Sequence, residues 1–125
     1  MIGNEQLQIA IYKELEGAGL NVYPYVPKDA IYPLVALGEE YLTDESTKNK
    51  RHFEAIHTFH GFSDSKNKTE INDMNNKMIE TLSDRFPLGD GFYVSKSILE
   101  NAQTLIDDAG IFHSTIRFQF TISKG

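Results

Sequence analysis

The stretch from Phe112 to Ile122 constrains the fold more than any other part of the chain. Phe112, Ser114, Ile116, Phe118, Phe120 and Ile122 alternate with His113, Thr115, Arg117, Gln119 and Thr121. Successive side chains of a strand point to opposite faces, so this pattern predicts a strand with one strongly apolar face. Such a face must be covered, and two segments have the periodicity to cover it. Leu7, Ile11 and Leu15 form one stripe of a helix from about Asn4 to Glu16. Asn4 suits its N-cap, Glu5 suits the positive end of its dipole, and Gly17 and Gly19 end it. Ile71, Met74, Met78 and Leu82 form the stripe of a second helix, from about Ser65–Thr69 to Arg85. Ile79 and Phe86 sit on its shoulders, and Pro87 stops it.

The remaining segments read as strands and turns. Val22 to Pro27 contains two prolines, which confines it to a short edge strand. Leu34 to Leu42 reads as a largely buried strand with a wetter end, followed by a polar loop from Thr43 to Lys50. In the strand from Arg51 to Phe62, Phe53, Ala55, His57 and Phe59 alternate with Glu54, Ile56, Thr58 and His60. Neither set is purely polar, so cover is expected on both faces. Gly89-Asp90-Gly91 is a tight turn, and Asp107 to Gly110 is a hairpin signal. Phe92 to Ile106, between them, has no clean period and reads as strand over about two thirds of its length. The expected fold is one α+β domain spanning residues 1–125, in the order α-β-β-β-α-β-β. Four to five mainly antiparallel strands would carry both helices on one face.

Composition narrows the function. The 125 residues are 40% hydrophobic and 24% charged, enough for a real core. There is no cysteine, which removes disulfides, thiolate nucleophiles and cysteine-bound zinc. The opening residues lack a signal-peptide pattern, and no apolar run approaches a membrane span, so synthesis and residence in the cytoplasm are expected. Formal net charge is −6, whereas nucleic-acid readers usually carry a basic face, so no sequence-specific nucleic-acid binding is expected. His57 and His60 are three apart and on a strand point to opposite faces, which argues against a metal site. Glu39-Glu40 and Asp107-Asp108 are adjacent carboxylates without a legible acid–base partner. No phosphate-binding glycine loop, nucleophile elbow or HExxH is present. No catalytic residue, cofactor or metal is therefore assigned.

Five segments, taken in order, resemble the tail-completion (tail-terminator, tail-to-head joining) proteins of siphophages and prophages. They are the N-terminal amphipathic helix, Val22-Tyr23 followed by Val26-Pro27, the strand Tyr32-Pro33-Leu34-Val35-Ala36-Leu37-Gly38-Glu39, the aromatic strand and helix from Ile56 to Leu82, and the final strand His113 to Phe120. Many relatives carry tryptophan before the second helix, and Phe59 takes that place here. Residues 43–50 and 66–68 match nothing in the pattern.

The resemblance implies a ring, typically of six copies, at the head-proximal end of a phage tail. It would stop growth of the tail-tube protein and present a surface to the head-connector protein. The protein would assemble in the host cytoplasm and end in the virion. A ring needs one patch that meets a different patch on its neighbour. Tyr23, Tyr25 and Tyr41 are candidates because tyrosine joins apolar area to a polar tip. Lys48, Lys50 and Arg51 are candidates for meeting an acidic neighbour, and residues 43–50 are expected to order on docking. The alternatives are another head-neck completion subunit or a small cytoplasmic enzyme or ligand-binding domain.

Overall fold

The computed structural model describes residues 4–125, with Asn4 described by its backbone alone, so the expected side-chain cap at Asn4 lies outside the described residues. The elements in chain order are α1 (Asn4–Gly17), β1 (Val22–Tyr23), β2 (Leu34–Asp44), β3 (His52–Ser63), α2 (Thr69–Leu82), β4 (Phe86–Gly89), β5 (Phe92–Ile106) and β6 (Phe112–Lys124). The strands form one sheet in the order β1-β2-β3-β6-β5-β4. β1 runs parallel to β2 and every other pairing is antiparallel. The class is α+β as expected, but the sheet is mixed and six-stranded.

The period-two strands set the core. Inward residues of β3 and β6 are buried at every second position, from Phe53 to Ser63 and from Phe112 to Ile122. The stripes of both helices close over this face, with Leu7, Ile11, Leu15, Ile71, Met78 and Leu82 fully enclosed. Burying each such side chain stabilises the fold by about 1.5–3 kcal/mol. The opposite face is not covered to the same degree. Leu34 and Ala36 are buried there, but Glu54, Ile56, Thr58, His60 and Phe62 stay half-exposed. Expected cover on both faces of β3 is thus realised on one.

Four further expectations are corrected. α2 ends at Leu82, where the Ser83 backbone N–H and hydroxyl both donate to the Ile79 carbonyl. Phe86 is therefore no helix shoulder; it opens β4, a short edge strand whose Pro87 needs no ladder donor on its outer side. β1 is two residues long and parallel, and Pro24 to Pro27 lies outside it. β5 is strand throughout, and β2 continues through Thr43 to Asp44 before the turn.

A β-bulge sets which side chains of β2 face inward. Leu37 pairs with Phe59 and Glu40 with His57, so Gly38 and Glu39 together oppose Thr58. Alternation from Val35 and Leu37 would otherwise turn Glu39 inward. The extra residue instead turns Glu40 and Leu42 inward and Tyr41 outward. Gly38 is needed at this kink, because a Cβ there would lie 2.7 Å from His60 Nε2 and 2.9 Å from the Thr58 carbonyl oxygen.

Candidate assembly surfaces

Both long edges of the sheet are largely unpaired. β1 covers β2 only at Val35 and Ala36, which leaves β2 open from Leu37 to Asp44. β4 covers β5 only at Phe92, Tyr93 and Val94, which leaves β5 open to Ile106. Open edges carry unsatisfied N–H and C=O groups and pair readily with another chain.

The sequence candidates fall into two groups. Tyr23 is half-buried on β1, Tyr25 is exposed just after it, and Tyr41 is exposed on β2, so all three lie along the β1–β2 edge. Lys48, Lys50 and Arg51 are exposed in the turn between β2 and β3. The Arg51 guanidinium carbon sits 5.4 Å from the Phe53 ring centroid, so this residue also packs locally. Sequence reasoning missed Ile98, Leu99, Leu105 and Ile106, all exposed on β5. Their signal was the broken period of that segment, apolar on both faces.

The bulge builds a buried polar bridge between α1 and the sheet. The Gln8 side-chain amide donates to Glu40 Oε1, and Glu40 Oε2 lies 3.0 Å from His57 Nε2. His57 is fully buried and its ring stacks on Phe59 at 4.5 Å. Burial lowers its pKa to about 4, against a hydrogen bond to the Thr58 carbonyl that raises it. Burial also raises the Glu40 pKa, opposed by the Gln8 hydrogen bond.

His57 and His60 do face opposite ways. On the open face, His60 Nδ1 lies 2.9 Å from Nε2 of His113, a residue 53 positions away, and His113 stacks on Phe62 at 4.4 Å. Burial lowers both imidazole pKa values, and for His60 the charge of His113 lowers it further. Two neutral rings can share one hydrogen bond here, but two protonated rings would repel.

Among the described residues, no group of three or more His, Asp or Glu is arranged to hold a metal ion. No described helix is long and apolar enough to cross a membrane. A groove of about 740 Å3 is an open trough between the segment after α1 and the start of α2. Glu70, Asp73 and Lys77 line it, and Glu70 is already engaged by the Ser63 hydroxyl at 2.6 Å.

No protein-family model matches this chain, and no curated protein matches it. A solved structure described as the virion of a native gene transfer agent (GTA) particle contains a chain of similar fold. The TM-score is 0.75 at 19% identity, with 94% of this chain and 94% of that chain covered. At this identity the likeness is one of fold.

Proposed function

We propose that this protein is a structural subunit of a phage-type particle, which forms a ring at the head-proximal end of the tail. The ring, of six copies as the resemblance implies, ends growth of the tail-tube protein and joins the tail to the head connector. The observation that carries the reading is the shared fold over nearly the full length of both chains, the other being part of a virion. The ordered resemblance to tail-completion proteins agrees with it. Two open sheet edges on opposite sides of one subunit suit a closed ring, in which every copy offers one edge and receives the other.

A second reading is a different neck subunit, since the similar chain is described by its whole particle and not by its position in it. Deleting the gene from its phage or prophage separates the two. A tail terminator leaves tails of uncontrolled length, whereas a head-completion subunit leaves normal tails beside unjoined heads. A protein that stays monomeric by light scattering, even with tail-tube protein added, would sink the tail-terminator reading.

A further inference from the structure

The exposed large apolar side chains are sorted onto opposite edges of the sheet. Among the described residues, nine such side chains are exposed, and eight belong to two sets. Ile98, Leu99, Leu105 and Ile106 lie along β5. Tyr25, Val26, Ile31 and Tyr41 lie on the β1–β2 side, within β2 or in the segment that leads from β1 to it. All eight are between 41% and 70% exposed. A monomer has no use for two apolar margins, each beside an unpaired backbone edge.

The two edges also match in direction and level. β2 and β5 are antiparallel within one subunit, being separated by β3 and β6 in an alternating sheet. Rotation about an axis near the strand direction brings β5 of one copy against β2 of the next, still antiparallel. Tyr41 pairs with Ile56, Ile56 with Gln119, and Gln119 with Ile98, which makes one row across the open face. Thr43, Glu54, Thr121 and Lys96 make a neighbouring row. An unstaggered junction therefore sets Tyr41 beside Ile98 and Thr43 beside Lys96 of the adjacent copy.

We propose that the free edge of β5 in one copy pairs antiparallel with the free edge of β2 in the next, so that the sheet runs unbroken from subunit to subunit. The occupant of each edge is a second copy of this chain, and the proposal rests on the ring reading above. The junction satisfies backbone groups left open at Leu37 to Asp44 and along β5 beyond Val94. It also covers the two apolar margins at once.

Cysteine crosslinking tests it, because the chain has no cysteine of its own. Thr43→Cys, Lys96→Cys and the double variant would each be assembled with tail-tube protein and treated with an oxidant or a short bis-maleimide, which tolerates a staggered register. The double variant should give a ladder of covalent multimers that ends at the ring size, and each single variant should stay monomeric on a denaturing gel. Mixing the two single variants should give a dimer and nothing larger. Crosslinking of Lys96→Cys alone would mean that like edges meet, which overturns the proposal. Rings visible by microscopy but uncrosslinked in the double variant would overturn the edge pairing and leave the ring reading standing. Absence of both rings and crosslinks would overturn both.

Discussion

Glu40 Oε2 and His57 Nε2 lie 3.0 Å apart in the interior, and neither has any other hydrogen-bond partner. The Nδ1–H of His57 donates to the Thr58 carbonyl at 3.2 Å, so Nε2 of the neutral ring offers a lone pair. A proton held by Glu40 and donated to Nε2 satisfies both atoms. It also accords with a carboxyl pushed up and an imidazole pushed down by the same burial.

Glu40→Gln tests that proton directly. The glutamine amide can donate to Nε2 while its carbonyl still accepts from Gln8. Its stability at pH 7 should stay within about 1 kcal/mol of the parent, whereas Glu40→Leu strands two buried polar groups and should cost about 2–4 kcal/mol. Urea unfolding measures both, and equal losses would place the proton elsewhere.

The same pair predicts an acid dependence. His57 drops from the usual 6.5 to about 4 on folding. Its contribution is thus complete above pH 6.5 and is lost as the pH falls toward 4. The raised Glu40 pKa acts in the opposite sense, since acid favours its buried form. In Glu40→Gln the His57 effect stands alone and should reach about 3 kcal/mol at most, at 1.36 kcal/mol per unit. Adding His57→Phe should abolish that part of the slope, and an unchanged slope would refute the assignment.

Gly61 packs where β3 meets β6 and α2. A Cβ there would lie 2.5 Å from Ser114 Oγ and 3.3 Å from Met78 Cε. Gly61→Ala should cost about 1–3 kcal/mol by overpacking. Ser114 Oγ is buried without a hydrogen-bond partner, so Ser114→Ala alone should be nearly neutral. The double variant should recover part of the loss, and strict additivity in thermal unfolding would contradict the contact.

His60 and His113 should titrate together. Proton-detected imidazole titration should place both below the usual 6.5. His113→Ala should move His60 upward, because the neighbouring charge and some of the burial are removed. A His60 midpoint that does not move would show that the rings are not in contact in solution.

The β5–β6 hairpin depends on Asp107, whose Oδ1 accepts from the backbone N–H groups of Ala109 and Ile111, each at 2.9 Å. Asp107→Ala should cost about 0.5–1.5 kcal/mol. Amide exchange should quicken at the tip first, and protection unchanged there would mean the turn holds without that side chain.

Much of this fold could be read from periodicity, because burial on one face imposes it. β6 and the stripes of both helices follow their alternation almost residue for residue. Where burial is weak the reading failed. β4 is four residues long and contains Pro87, so it carries no period to detect. β5 has no period because its outer half is exposed on both faces. The β2 bulge changes parity in mid-strand, so no alternation rule carries Leu37 inward and Glu40 inward together. The prolines around Tyr23 and Tyr25 marked that segment as a sheet edge, whereas nothing comparable marked Tyr41. The apolar margin of β5 and the His60–His113 contact depend on strand neighbours that only the topology supplies.

The place of β6 in the strand order has a further consequence for synthesis. β3 lies beside β6 at the centre of the sheet, and the two partners are 49 residues or more apart in the chain. While a ribosome is still making β5, the inner edge of β3 has no partner, and the helices have half a sheet to cover. Such long-range pairing pays its loop-closure entropy before any reward, which slows folding. The nascent chain therefore has an unpaired aromatic strand edge at least until β6 begins to emerge at Phe112, the interval in which it is most exposed to misassociation.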